Sequence, residues 1–149
     1  MSAGLPGLLR PAGRTIENSL RQLERDVAAL AGVPVPAGDP ITRTAQVANI
    51  ATTNLLQFAP TGVYEVTAIL QCTTADAAAG TLTLTLGWTD RVGAATDTAL
   101  TRLLTLSGRN SRSYEIQVSG DTAISYAVAV TGIYATAVYA LEIRALRIA

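Results

Sequence analysis

Asp90 and Asp97 bracket the loop DRVGAATD. Loop carboxylates supply the oxygen ligands that calcium takes. Aspartate also closes turns by accepting the amides just downstream of it, and that is the reading preferred here. The remaining carboxylates of the second half, Glu65, Asp76, Glu115, Asp121 and Glu142, are single and scattered. Glycoside hydrolysis needs two carboxyl groups converging in a cleft. Ser111 and Ser113 have no histidine to activate them, because the chain contains none. That also removes the commonest general base and metal ligand. The single cysteine, Cys72, excludes an internal disulfide. It falls on the apolar side of its strand pattern, which fits a buried, inert thiol better than a nucleophile. Trp88 and the tyrosines can form a ligand platform, but core packing is the preferred reading. No phosphate loop, Gly-x-Ser-x-Gly elbow or Cys/His metal spacing is present. The expectation is a protein with no catalytic residues, no metal and no cofactor.

Composition points the same way. The chain has 149 residues, enough for one domain with a real core. Half of it is hydrophobic, 49%, yet aromatics are 5% and charged residues only 15%. So neutral a surface on a β protein is a solubility liability unless partners cover it. Net charge is zero and all eleven basic residues are arginine, with no clustered basic face, so nucleic acid is not an expected partner. No apolar run reaches the ~18 residues that span a membrane. The start, MSAGLPGLLRPAGR, has too short an apolar core for a signal peptide. The chain is expected to be made and kept in a cytosol, or released by lysis.

Four segments follow in order. Residues 1–14 are punctuated by Gly4, Pro6, Gly7, Pro11 and Gly13, so they form no helix. With Leu5, Leu8, Leu9, Arg10 and Arg14, this segment reads as a tail or as an arm lying on a partner, and the arm is preferred. Residues 15–31 form a helix capped by Thr15, with Glu17 at the positive end of its dipole, and stopped by Gly32 and Pro34. Ile16, Leu20, Leu23, Val27 and Leu30 recur at 4, 3, 4, 3, a heptad seam. A helix this short is marginal alone and must pack on copies of itself, on its own β domain, or on a foreign surface. A short parallel bundle of copies is favoured, although the flanking Glu17, Ser19, Glu24 and Asp26 offer no attractive pairs. Residues 32–40, with three prolines, form a stiff linker.

From residue 41 to 149 the pattern is all β. Period-two alternation recurs near 41–48, 54–58, 63–73, 80–89, 98–106, 112–119, 122–130 and 137–148. Tyr64, Val66, Ala68, Leu70 and Cys72 share a face, as do Leu82, Leu84, Leu86 and Trp88, and Ile124, Tyr126, Val128 and Val130. Leu100, Leu104 and Leu106 make a further apolar set. SGDT, around Gly120 and Asp121, fits a two-residue hairpin. In the last strand Tyr139, Leu141 and Ile143 face one way and then Leu146 and Ile148 take over. A bulge near Ala145 explains the change of phase, and a strand buried on both faces is the alternative. About eight strands with short turns mean a mainly β jelly roll or sandwich.

GVYEVTAILQCTTA, GTLTLTLGWTD and GIYATAVYALEIRAL together resemble the C-terminal module of tailed-phage virion proteins. Such modules are similar to the tumour-necrosis-factor and C1q class of trimeric jelly rolls. The matching residues are Gly62, Tyr64 and Val66, then Gly87, Trp88, Thr89 and Asp90, then Ala137, Tyr139, Ala140 and Leu141, within a resemblance covering residues 41–149. It implies a homotrimer, with the strand carrying Tyr139, Leu141 and Ile143 near the three-fold axis. It implies a structural virion protein: a capsid decoration or head-fibre protein, fixed to the major capsid protein or another shell protein by its N-terminal region. The location implied is the capsid surface, after synthesis in the host cytoplasm. The alternative is a receptor- or glycan-binding tip of a tail or baseplate, with loops 89–97 and 131–136 exposed and Tyr134 as the contact.

Overall fold

The computed structural model describes residues 16–23, 35–77, 79–132 and 136–149. The chain divides into two units, Met1–Val33 and Pro34–Ala149. In the first, α1 covers residues 16–23, inside the expected helix; positions 24–31 lie outside the described residues.

The second unit is built from nine strands among the described residues. They are β1 (Val35–Pro36), β2 (Ile41–Gln46), β3 (Ile50–Ala59), β4 (Gly62–Thr74), β5 (Gly80–Thr89), β6 (Ala94–Leu103), β7 (Gly108–Val118), β8 (Thr122–Gly132) and β9 (Val138–Arg147). Two antiparallel sheets result. In the first, β9 lies between β4 and an edge shared by β1 and β2, and β7 follows β4; the second runs β3-β8-β5-β6. Only β5 and β6 are consecutive full strands that pair with each other; every other connection from β2 onward crosses between sheets. That is a jelly roll.

Alternation explains why these sheets close on each other. Along β4, Tyr64, Val66, Ala68, Leu70 and Cys72 are all buried, and on β5 Leu82, Leu84 and Leu86 face them from the second sheet. Ile124, Tyr126 and Val128 of β8 and Tyr139, Leu141, Ile143 and Ala145 of β9 complete the core. Three tyrosines are its largest members, and two have their hydroxyls satisfied at the rim. Tyr64 donates to the Pro60 carbonyl at 2.8 Å and Tyr139 to that of Ala48 at 2.6 Å. The Tyr126 hydroxyl is buried with no hydrogen-bond partner among the described residues.

Several expectations are corrected. SGDT is not a hairpin turn, since β7 pairs with β4 while β8 pairs with β3 and β5; the loop carries the chain from one sheet to the other. The last strand does not change phase near Ala145: its register with β4 is unbroken from Tyr64↔Arg147 to Cys72↔Tyr139. Ala145 is inside and Leu146 lies outside, half-buried. The bulge sits instead on β6, where Leu84 faces Leu100 but Thr85 faces Thr98, so that Ala99 and Leu100 are both buried. Leu106 is exposed rather than core. The second half of the 32–40 segment is not a free linker. Val35 and Pro36 pair with Arg147 and Leu146, and the Ala37 amide donates to the Ala145 carbonyl at 3.0 Å.

Gly62 shows why one matching residue is a glycine. A Cβ there would sit 2.5 Å from the Ala149 carbonyl, because the end of the chain folds back on Val63. Gly132 has φ of 96°, and a Cβ there would run into the Ala79 carbonyl and the Gly80 Cα, a place no other residue fits without strain.

Candidate functional site

The barrel has two ends with different loops. At one lie residues 60–61, the β5–β6 turn, residues 119–121 and the end of β9; the Ser119 amide donates to Thr89 O and the Gly120 amide to Thr61 Oγ1. β1 meets β9 at this end, beside Arg147. At the other lie residues 47–49, 75–77 and 104–107 and the outgoing end of β8. Here Asp76, buried, accepts the Thr136 amide at 2.8 Å, and its own amide donates to Leu104 O. The two loops expected to be exposed in the receptor-binding alternative, 89–97 and 131–136, follow β5 and β8 and so belong to opposite ends, with residues 133–135 outside the described residues.

The expected chemical residues take structural places. Asp90 closes the β5–β6 turn, its Oδ1 accepting the amides of Val92 at 2.7 Å and Gly93 at 3.0 Å, as the turn reading required. Asp97 is exposed on β6. No group of three or more metal-ligating side chains occurs among the described residues. Ser113 shares a 3.0 Å hydrogen bond with Thr67 across the first sheet. Cys72 is buried, with Sγ 3.3 Å from Thr74 O. Burial pushes its thiol above the ordinary range, and Arg102 only partly offsets this, so the thiol is protonated and inert. Trp88 is half-buried against the core.

Of the heptad seam, Ile16, Leu20 and Leu23 are described and are 63%, 56% and 60% exposed. Val27, Leu30, Tyr134 and the arm residues Leu5, Leu8, Leu9, Arg10 and Arg14 lie outside the described residues. Tyr139, Leu141 and Ile143 point between the sheets and are fully buried, so their side chains are core groups, not groups facing an axis. A contact through that strand would have to use its outward residues, Ala140, Glu142 and Arg144.

One cluster escaped the sequence reading. Arg102 and Asn110 tie the free edges of β6 and β7 together at the corner of the barrel. Arg102 Nη1 donates to Asn110 Oδ1 at 2.7 Å and Nη2 to Leu106 O at 3.0 Å; Asn110 Nδ2 reaches Thr101 O at 3.3 Å. Lower down, the Tyr114 hydroxyl donates to Thr98 O at 3.0 Å, with the Arg112 guanidinium 4.5 Å over its ring. Polar side chains thus take up carbonyls that an edge strand would leave open. These residues lie on either side of one loop, residues 104–107, and pair only because that loop sets β6 of one sheet beside β7 of the other.

The outer faces of the sheets differ in charge. On the first, Glu65, Arg109, Glu115, Glu142 and Arg144 surround Ile69, and Glu65 stands directly opposite Glu115. On the second, β5 presents Thr81, Thr83 and Thr85, flanked by Ala127 and Ala129 of β8 and by Thr98 and Thr101 of β6.

No family model and no curated protein matches the chain. Among solved structures, the modules of Clostridium thermocellum endo-1,4-β-D-xylanase 10B complexed with xylohexaose are similar over 79% of this chain and 26% of that one, with a TM-score of 0.43 and 13% identity. The Gx strain of infectious bursal disease virus is similar over 77% and 31%, at TM-score 0.41 and 14% identity. The empty top component of cowpea mosaic virus is similar over 78% and 89%, at TM-score 0.40 and 12% identity. The chain spans under a third of the length of the first two. Likenesses of this size assign no activity or partner to this chain.

Proposed function

We propose that the chain is a structural, non-enzymatic virion protein, a homotrimeric capsid decoration or head-fibre protein attached to a shell protein through its N-terminal region. The observation that carries this reading is the heptad seam. Ile16, Leu20 and Leu23 are each more than half exposed, while the jelly roll that follows has a filled core of its own. An apolar helix stripe that is left in water is a packing element in want of a surface. The resemblance of GTLTLTLGWTD and its flanking strands to phage modules supports the virion setting.

The test is addition of the purified full-length chain to undecorated capsids, with bound copies counted by cryo-microscopy. Stoichiometric binding is expected, and no binding rejects the reading. Deleting residues 1–14 is expected to abolish attachment while light scattering still shows trimers. Host-cell or glycan binding that is lost in Tyr134→Ala would favour a tail or baseplate tip instead.

A further inference from the structure

We infer that the outer face of the second sheet, centred on Thr83, Thr85 and Ala127, is covered by another copy of this chain. Asp97 and Arg102 are the only charged residues in β3, β5, β6 and β8, and both stand in register with inward leucines, Leu86 and Leu82. The outer face of this sheet is therefore uncharged across all four strands. Burying it desolvates no ion, which is the largest penalty a protein contact meets. The first sheet is the opposite case. Its outer face sets Glu65 against Glu115 within one chain and carries Glu142, Arg144 and Arg109 farther along, so covering it would desolvate several ions.

The size of the face suits a copy-to-copy contact. Four strands about 4.8 Å apart and about ten residues long at ~3.4 Å each give a plate of roughly 600 Å². Covered by a neighbouring copy, it buries about 1,200 Å² counted over both partners, above the ~1,000 Å² that a specific interface needs. Leu103 adds an apolar residue at one margin, beside Thr81, and is 55% exposed. At its centre the side chains are short threonine hydroxyls and alanine methyls, and on β3 Phe58 stands 71% exposed.

The inference rests on the self-association within the proposed function, not on capsid attachment, and the two fail separately. The experiment is light scattering of the full-length chain, in solution and without capsids. It compares wild type, Ala127→Arg, Thr83→Arg and, on the first sheet, Ile69→Arg. The expected result is an oligomer for wild type and Ile69→Arg, and monomer mass for both second-sheet variants, with circular dichroism showing that all four keep their β structure. An arginine added to either outer face leaves the core untouched, and the two second-sheet variants back each other up if one folds poorly. Wild-type mass in both second-sheet variants overturns the inference, as does dissociation by Ile69→Arg alone. A monomeric wild type that still binds capsids overturns it too, along with the trimer, while leaving the attachment reading in place.

Discussion

β4 and β5 are neighbours across the core, and each alternates perfectly. Inward they are alike: Tyr64, Val66, Ala68 and Leu70 on one, Leu82, Leu84 and Leu86 on the other, all buried. Outward they part. β4 shows Glu65, Thr67, Ile69 and Gln71, flanked by charged residues on both neighbouring strands, whereas β5 shows threonine after threonine between alanines and more threonines. The inner faces are dictated by the need to fill one core, so they cannot differ much. The outer faces are free of that demand, and their difference reports what each meets: water for the mixed charges, and a neutral surface for the uncharged plate.

The comparison can be pressed from its strongest consequence to its weakest. If the inner faces are equivalent, Leu84→Ala and Leu141→Ala should each lower stability by about 2–5 kcal/mol. Urea unfolding followed by circular dichroism measures this, and a near-neutral result in either sheet would mean that its core side is loosely packed. Gly62→Ala drives a methyl into the Ala149 carbonyl and should cost about 1–3 kcal/mol. That loss would fall on the first sheet alone, where β4 holds the last residues of the chain.

The two buried groups with raised pKa, Cys72 and Tyr64, both lie on β4 of the first sheet. In each case burial is the main cause. For Tyr64, Arg147 lowers the value and Asp121 raises it, both less than burial does. Both groups hold their protons in the folded state beyond the pH at which the unfolded chain releases them. Their stabilisation is therefore complete below the ordinary values of 9.0 and 10.0, and is lost as pH rises past those values toward the folded ones. Unfolding midpoints should hold level up to about pH 8 and decline above pH 9, more steeply past 10. Cys72→Ala should remove the earlier decline; an unchanged profile would show that the thiol has no part in it. Smallest of all, Glu115→Lys should stabilise the fold by about 0.2–1 kcal/mol by replacing a like-charge pair with an attractive one. Thr85→Lys on the other sheet should change the stability of the monomer by less than about 0.5 kcal/mol. Equal effects of the two would erase the electrostatic distinction between the faces.

Much of this was legible in the sequence, because period-two alternation states which side of a strand is wet. The core residues of β4, β5 and β8 follow from it directly. What alternation does not state is the neighbour of each strand. SGDT has the residues of a tight hairpin, yet it bridges two sheets, because the partner of β7 is β4, whose paired residues lie between 36 (Cys72↔Gly108) and 56 (Gly62↔Val118) positions upstream, and not the strand across the turn. Leu146 and Ile148 mimicked a change of phase because the outer side of β9 is half-covered where β1 joins it, so apolar residues are tolerated there. Val35–Pro36 escaped notice because two residues carry no period. The candidate site was less legible still. The seam is a plain heptad, but the Arg102–Asn110 corner and the neutrality of a whole sheet face exist only once β6 is set beside β7 and β5 beside β8.

The earliest long strand, β2, is zipped to the last, β9, which is also held by β4. Pairings that span about a hundred residues of chain make for slow closure. A ribosome-bound chain that has not yet released Tyr139–Arg147 has no wall for β2 or β4 to complete, so none of the barrel can be finished early. Through all that time the uncharged strands β5 and β8 would stand as open, edge-bearing sheet, the state most prone to aggregate. Synthesis of this protein is thus a race between the arrival of its final strand and the meeting of two unfinished chains.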